Sequence, residues 1–331
     1  MKNSADRLDS TMFVNSNRTD LWKKDIAASV DLYNSWFMKF APKVYRDNRV
    51  AATKRVEDAM ALTLNLSDLT PSVLKAHPEI LSMLRMATAP PIARDRLIGL
   101  ADVSQGLVHR MEEDSALPTR LSISAVDEQL GRICALILTM ADRDILTWLG
   151  GPRGTPSRDE IYRASTIIAD RLCGAQSDPM IRNAQEKRQL EAIRTWLKDR
   201  GYVEVVMRAG LKFNQMERGT FAFRVNVPAN IQPDRSVKIP VDAVVIPRNP
   251  THNLTPLLIE AKSAGDFTNP NKRRKEEATK INQLKNTYGT GMRYILFLCG
   301  YFNSSYLGYE AAEGIDWVWE HRIDDLDKFG L

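Results

Sequence analysis

Residues 238–266 constrain the possible fold more than any other stretch of the chain. Two apolar runs in this stretch, 241–246 and 257–259, flank a loop that is rich in proline and asparagine. β-Branched residues and leucines bounded by proline are typical of short strands in a protein core. The stretch therefore predicts two neighbouring core strands that are joined by a turn.

Charged side chains stand within and directly after these apolar runs. The first run carries Asp242, and the second is followed by Glu260, Ala261 and Lys262. Because side chains alternate along a strand, Glu260 and Lys262 should share one face, with Ala261 on the other. If the two strands pair, Asp242 comes alongside them. We therefore expect two carboxylates and one ammonium group close together.

Charges on apolar strands are costly to bury unless they are paired or bind a metal ion. Two carboxylates, together with water and a substrate phosphate, form an oxygen site suited to Mg²⁺. A lysine beside them can orient an attacking water molecule or help to deprotonate it. This set favours hydrolysis of a phosphodiester. The alternative is a surface hairpin with an ordinary Glu–Lys pair, because an acid-x-Lys triplet alone is common.

The run VDAVVIP followed by LLIEAK resembles the PD-(D/E)xK nuclease superfamily, whose motif pairs Asp with Glu-x-Lys. The proline of the motif is Pro240, one residue further upstream than the short name implies. The predicted order of a helix, three or four strands, a helix and a strand agrees with the core of that superfamily. We expect an α/β (α+β) fold, with a helical N-terminal region and a C-terminal nuclease core of a mixed β-sheet flanked by helices.

The length of 331 residues exceeds a typical single domain and suggests two packed units. The clearest break is the glycine- and proline-rich segment 150–156. We expect a helical region over residues 1–150, for DNA binding or dimerisation, and the nuclease catalytic domain over residues 151–331. The net charge of +5 suits an acidic partner such as DNA.

Three cysteines lie far apart in apolar surroundings, at positions 134, 173 and 299. Their odd number and their spacing argue against both a disulfide framework and a metal site. We expect three buried thiols in a reducing cytoplasm. No apolar run is long enough to span a bilayer, and the polar N-terminus does not resemble a signal peptide. We therefore expect a cytoplasmic protein without a membrane partner.

Apolar residues at helical spacing predict a helix that begins at Thr19 and ends before Pro42, and a second helix over residues 53–64. Ser124 resembles the first residue of a capping box and predicts a further helix through Met140. Two more helices are predicted over residues 157–172 and 183–200.

Arg85, Arg94 and Arg96 lie around a Pro-Pro turn in residues 84–114. The functional interpretation is a DNA-contacting loop, because arginine suits bidentate contacts to phosphate or guanine. The alternative is a solvated helix start whose charges pair with their neighbours. The residues themselves leave both interpretations open.

The predicted helix 183–200 carries two candidate acids. Glu186 continues the stripe of core residues, whereas Glu191 falls among basic residues on the solvated side. In the PD-(D/E)xK superfamily a helix before the sheet often supplies a further acid to the metal site. Glu186 is our candidate, with Glu191 left open. The alternative for Glu186 is an ordinary first-turn glutamate favoured by the helix dipole.

A basic helix is predicted over residues 271–288, directly after the second motif strand. It begins with Lys272, Arg273, Arg274 and Lys275. These side chains are candidate phosphate contacts, because the duplex backbone must pass the catalytic strand. A charge run of this kind is also typical of a solvated helix face.

Two longer segments narrow the resemblance: LRMATAPPIARDRLIGLADVSQGLVHRMEE and IRNAQEKRQLEAIRTWLKDRGY. Together with the motif strands they resemble the XamI-like type II restriction endonucleases, from about residue 36 to residue 319. The resemblance implies a Mg²⁺-dependent enzyme that cuts double-stranded DNA at a short palindromic site. Such an enzyme is paired in the cell with a DNA methyltransferase.

The positions that carry over are Asp242, Glu260 and Lys262, with Glu186 as the candidate helix acid. The carbonyl of Ala261 would complete the metal ligands. Cleavage of a palindrome implies a two-fold homodimer. Two alternatives stay open at this point: a structure-selective nuclease of repair or recombination, and a catalytically inactive DNA-binding module.

Overall fold

The structure is a computed structural model that describes residues 13–150, 155–207, 213–232, 235–248, 255–289 and 291–331. The side chains at 214, 231, 232 and 269–275 lie outside this description. The α-helices are α1 (Thr19–Leu62), α2 (Pro71–Ala76), α3 (Leu81–Met86), α4 (Arg94–Ala101), α5 (Gln105–Glu113), α6 (Ile123–Thr139), α7 (Arg158–Asp199), α8 (Asn269–Tyr288) and α9 (Ser304–Ala312). The strands are β1 (Val203–Glu204), β2 (Thr220–Gln232), β3 (Arg235–Val245), β4 (Leu257–Ala264), β5 (Arg293–Gly300) and β6 (Asp316–Trp319). Short 3₁₀ helices cover Pro78–Ile80, Phe213–Gln215 and Glu320–Phe329.

The six strands form one sheet in the order β1-β2-β3-β4-β5-β6. The pairs β2–β3 and β3–β4 are antiparallel. The pairs β1–β2, β4–β5 and β5–β6 are parallel. Helix α8 connects β4 to β5 as a parallel crossover requires. The sheet is therefore mixed and flanked by helices, and the N-terminal region is helical, which confirms the predicted fold class.

Contacts divide the chain into two compact units. The first, which we call the sheet unit, comprises residues 1–39 and 182–331, and the second, the helical unit, comprises residues 40–181. Both connections between them run inside helices, because α1 and α7 each contribute to both units. This division does not coincide with the boundary that the sequence predicted at residue 150.

Two predicted helix ends are wrong, because both helices continue through a proline. Pro42 lies inside α1, and Pro179 lies inside α7, so that each predicted pair of helices is one helix. An interior proline costs about 3 kcal/mol, because it removes a hydrogen bond and crowds the preceding turn. Burial of one large apolar side chain contributes about 1.5–3 kcal/mol, and α1 buries Val56 and Met60 after its proline. Packing therefore outweighs the local preference. The cap of α6 is Ser122, and not Ser124 as predicted.

Each face of the sheet has its own apolar core. One face packs against the part of α7 that carries Leu190, Ile193 and Leu197. The other face packs against Ile281 and Leu284 of α8 and against α9. Helices on both sides explain why β5, whose sequence is strongly apolar, is buried along its whole length.

The N-terminal segment of the described chain is tied to the last strand. The backbone N–H groups of Asn15 and Ser16 donate to Asp316 at 3.0 Å, and the Asn15 amide donates to the Trp317 carbonyl at 2.8 Å. The Trp22 ring lies 5.7 Å from the Trp317 ring. The first helix is therefore part of the packing of β6, although about 300 residues separate them in sequence.

The three cysteines are free and buried, as predicted. Burial raises the pKa of the Cys134 thiol to about 11 and that of Cys299 to about 12. Over the described ranges, no helix combines the length and apolar character that a bilayer span requires.

Glu310 of α9 gives a prediction about stability. Its side chain is fully buried, and burial raises the pKa of its carboxyl to about 7. As the pH rises from about 4.5 to about 7, the unfolded chain releases a proton that the folded chain retains. The contribution of this carboxyl to the free energy of unfolding therefore falls as the pH rises through that range.

We expect Glu310→Gln to raise the free energy of unfolding more at pH 8 than at pH 5, by about 2 kcal/mol. Urea unfolding at the two pH values would measure this difference. The matched control is Glu313→Gln, because Glu313 is exposed at the end of the same helix. Equal effects of Glu310→Gln at both pH values would show that burial does not hold a proton on Glu310.

Candidate active site

Strands β3 and β4 bring Asp242 and Glu260 together, as the sequence predicted. Their ladder pairs Ala243 with Ile259, so Asp242 is the next residue of β3 beyond that pair. The Ala261 N–H donates to Asp242 Oδ2 at 2.8 Å. This bond fixes the carboxylate of one strand against the backbone of the other, beside Glu260 and Lys262.

Glu260 and Lys262 face α8, whereas Ala261 packs on the opposite face of the sheet. Lys262 Nζ lies 3.1 Å from Glu260 Oε1 and 2.7 Å from Glu277 Oε1. Lys280 Nζ lies 2.8 Å from the same oxygen of Glu260. Two carboxylates and two ammonium groups therefore form one network between β4 and α8.

Glu277, Lys280 and Tyr294 are residues of this network that the sequence did not reveal. Glu277 is 1% exposed and accepts a hydrogen bond from the Tyr294 hydroxyl at 3.0 Å. A signal was available, because Glu277 stands four residues before Ile281, which places it on the buried stripe of α8. The surrounding charges, KRRKEE, hid that stripe.

Burial and neighbouring charges shift the pKa values of Asp242 and Lys262. Burial and then the charge of Glu260 raise the pKa of Asp242, against the lowering effect of the Ala261 N–H, and the pKa lies at about 6. Burial alone would lower the pKa of Lys262, but the carboxylates of Glu260 and Glu277 outweigh it and the pKa is raised. Lys262 is thus held as a cation, and Asp242 titrates close to neutral pH.

Glu186 and Glu191 of α7 lie in different surroundings. Glu186 pairs with Arg224 of β2 at 3.1 Å, and its charge raises the pKa of Asp242. Glu191 is exposed and pairs with Arg194. The neighbouring Gln189 donates to the Lys262 carbonyl at 3.2 Å, which joins this part of α7 to β4. Of the two acids, Glu186 is the one that acts electrostatically on Asp242.

The capacity of the site for a metal ion depends on two carboxylates. In the described part of the chain, no group of three or more His, Cys, Asp and Glu side chains is arranged to hold a metal ion. Mg²⁺, however, is often bound through one or two carboxylates, with waters and substrate oxygens completing its shell. Glu260 Oε2 is buried and has no hydrogen-bond partner within the described ranges. An unused buried carboxylate oxygen beside Asp242 fits such an ion.

The three arginines of the predicted DNA-contacting loop lie in the helical unit and differ in their contacts. Arg85 donates to both carboxylate oxygens of Glu112, at 2.6 and 3.0 Å, and to the Ile92 carbonyl at 2.6 Å. Arg94 pairs with Glu113. Arg96 is exposed on α4. The guanidinium of Arg85 is therefore used within the unit, and Arg96 is the most accessible of the three.

The basic run at the start of α8 is described only by its backbone. Helix α8 (Asn269–Tyr288) includes the basic helix that the sequence predicted over residues 271–288. The side chains of Lys272, Arg273, Arg274 and Lys275 lie outside the described residues.

Comparisons with known proteins identify the family to which the chain is similar. The family model of the XamI restriction endonuclease matches residues 64–319. The type II restriction enzyme SalI of Streptomyces albus G is 52% identical over 318 residues, which cover 96% of this chain and 99% of that protein. Among solved structures, the match to protein VC1899 from Vibrio cholerae covers 77% of this chain and 55% of that protein chain, with 15% sequence identity. Its TM-score of 0.27 is too low to support an argument.

The buried pair of Lys262 and Glu277 gives a prediction about Lys262. Glu277→Gln removes one of the two carboxylates that outweigh burial, so we expect the pKa of Lys262 to fall. An NMR titration of ¹³Cε-labelled lysine would measure the change, with the Lys262 signal assigned from a Lys262→Arg sample. Glu276→Gln is the matched control, because Glu276 is the exposed neighbour of Glu277. Equal titration of Lys262 in both variants would contradict the pairing.

Proposed function

The chain belongs to the XamI restriction endonuclease family and is a type II restriction endonuclease, and we propose that it hydrolyses both strands of double-stranded DNA at a specific site with Mg²⁺. The identity of 52% over nearly the whole chain supports this substrate. The alternatives, a structure-selective repair nuclease and an inactive DNA-binding module, are not favoured.

The observation that carries the catalytic proposal is the hydrogen bond from the Ala261 N–H to Asp242. It holds one carboxylate beside Glu260 and Lys262, and both elements that supply these residues are anchored in the sheet. Catalytic groups on rigid strands keep their geometry when a substrate binds. Asp242, Glu260 and Lys262 are therefore our proposed catalytic residues.

Asp242, Glu260 and the carbonyl of Ala261 would hold the Mg²⁺ ion. When bound, the ion would supply Lewis-acid stabilisation of the charge that develops on the phosphate and on the leaving 3′ oxygen. Lys262 would orient the attacking water through its ammonium group, which the carboxylates of Glu260 and Glu277 hold protonated. The ion would use Glu260 Oε2, because Lys262 and Lys280 both contact Oε1. Glu186 would add negative charge near Asp242.

DNA contacts are proposed for residues outside the metal site. Arg96 is exposed and could approach a duplex, and Arg94 could do so if it leaves Glu113. Arg85 would act indirectly, by holding the loop around Ile92. Lys272, Arg273, Arg274 and Lys275 stay proposed phosphate contacts, because α8 follows the catalytic strand. The helical unit would contribute DNA binding or dimerisation.

A palindromic site implies two equivalent catalytic centres, and we therefore propose a two-fold homodimer in the cytoplasm. A DNA methyltransferase that protects the same sequence would be its functional partner, without physical contact. The methyltransferase follows from the proposed reaction, because an endonuclease of this kind must spare the DNA of its own cell.

A plasmid digest tests the proposal directly. Purified protein with Mg²⁺ should give discrete fragments, and sequencing their ends would identify the recognition site and the cut position. Cleavage restricted to branched or nicked DNA would instead indicate a repair nuclease. Binding without any cleavage would indicate an inactive module.

The proposed metal ligands give a sharper prediction. We expect Asp242→Ala and Glu260→Ala to lower the cleavage rate by at least about 10²-fold, because each removes a group that positions charge at the phosphate. Duplex affinity should stay measurable with Ca²⁺, whose looser geometry supports binding but not efficient cleavage. Gel assays of cleavage and fluorescence anisotropy would measure both. Normal turnover by either variant, with Glu313→Ala as the control, would overturn the site.

Glu186 and Glu191 form a matched pair on one helix. We expect Glu186→Ala to lower the cleavage rate more than Glu191→Ala, because Glu186 acts on Asp242 while Glu191 pairs with Arg194. Single-turnover rates, compared with thermal stability, would separate activity from folding. Equal rates and equal stabilities would contradict a role for Glu186. A larger loss with Glu191→Ala would assign the helix acid to Glu191.

A further inference from the structure

Arg224 of β2 lies beside the proposed catalytic residues, although nothing in its sequence surroundings points to the site. In the β2–β3 ladder, Arg224 lies between two paired residues of β2, and Asp242 lies between their two partners on β3. The pairs are Phe223 with Ala243 and Val225 with Val241. The register therefore places Arg224 across from Asp242, on the strand that flanks the active site.

The backbone at Arg224 is unusual. Its φ is +53°, in the left-handed region that L-residues rarely adopt and that is strained within a strand. The sheet faces change at the same place: Phe221 packs on the α7 side but Val225 on the α8 side. On β3, Ala243 packs on the α7 side but Val241 on the α8 side. Strict alternation would keep each pair on one side, so both strands are irregular at Arg224 and Asp242.

A glycine or asparagine would adopt this φ with less strain than arginine does. The position nevertheless carries a long cationic side chain, which is 71% exposed. Strained residues cluster at functional sites, where the position of the side chain matters more than the local cost. The irregularity therefore points to a role for the guanidinium.

The contacts of Arg224 leave its charge available. Its partner Glu186 is itself 43% exposed, and an ion pair between exposed side chains is weak. Lys262 and Lys280 are instead engaged with the buried carboxylates of Glu260 and Glu277. Arg224 can thus exchange Glu186 for an anion at little cost. The planar guanidinium matches two oxygens of a phosphate.

We propose that Arg224 is a substrate-contacting residue, which leaves Glu186 when DNA binds and contacts a backbone phosphate beside Asp242. The inference rests on the proposed function of cleaving DNA. It deepens that function by assigning a phosphate contact to a strand residue of the sheet unit. It also gives Glu186 a second role, as the partner of Arg224 in the protein without DNA.

The test is the salt dependence of duplex binding, measured by fluorescence anisotropy in Ca²⁺ with a duplex that contains the recognition site and with a scrambled duplex. We expect Arg224→Ala to weaken binding to both by about tenfold, as for loss of a charge-assisted hydrogen bond. The slope of log affinity against log salt should become shallower by about one unit. Arg224→Lys should retain the slope, because it keeps the charge.

Lys328→Ala is the control, because Lys328 is also an exposed cation paired with an acid. It lies beside Phe329, whose carbonyl contacts Arg293 at the first residue of β5, away from Lys262. Its salt slope should equal that of the wild type. An unchanged slope in Arg224→Ala, or an equal change in Lys328→Ala, would overturn the proposal.

Two further variants separate the contact from a structural role. Arg224→Gly relieves the strained φ, so it should be at least as heat-stable as the wild type and yet bind DNA as weakly as Arg224→Ala. If Arg224 served only to hold Glu186, then Arg224→Ala would have no further effect in a Glu186→Gln background. In that background we still expect Arg224→Ala to make the salt slope shallower by about one unit.

The outcomes distinguish a failure of the proposed function from a failure of the role of Arg224 alone. A wild-type protein that neither binds nor cuts any duplex would overturn the proposed function and this inference together. A wild-type protein that cuts DNA, with an Arg224→Gly variant that binds as tightly, would overturn only the role of Arg224.

Discussion

Two buried carboxylates and two partly buried ammonium groups lie together between the sheet and α8, and the balance of their charges is the condition on which the active site depends. A buried charge without a partner costs several kcal/mol, so neither Glu260 nor Glu277 would be stable in this place alone. Lys262 contacts both, and Lys280 contacts Glu260, so the two negative charges are matched by two positive ones. The balance holds α8 against β4, and it keeps the lysine protonated where a phosphate would approach.

The catalytic core could be predicted from the sequence because its signal is local. Each motif strand shows its own apolar run and proline boundary, and the alternation of side chains then assigns Glu260 and Lys262 to one face. The bond between Asp242 and Ala261 needs only that the two strands pair. Fold class and motif geometry therefore follow from short windows of sequence.

Other features could not be predicted, because they depend on contacts between distant residues. Pro42 and Pro179 end helices by local rules, yet packing in each unit carries the helices through. Glu277 stands in a run of charges that is typical of a solvated face, and its burial depends on Lys262 and Tyr294. No local pattern marks an arginine with a positive φ, so Arg224 was invisible as well. Arg85 shows the reverse case, because an arginine in a plausible binding loop serves the interior of its own unit.

The attachment of the N-terminal segment to β6 also bears on how the protein is made. Asn15 and Ser16 are translated long before their partner Asp316, which lies about 300 residues later in the chain. The Trp22 ring meets its neighbour Trp317 equally late. A nascent chain therefore cannot complete the packing around the catalytic sheet until β6 has been translated. For an enzyme that cuts DNA, assembly of the nuclease fold is thereby postponed until β6 has left the ribosome.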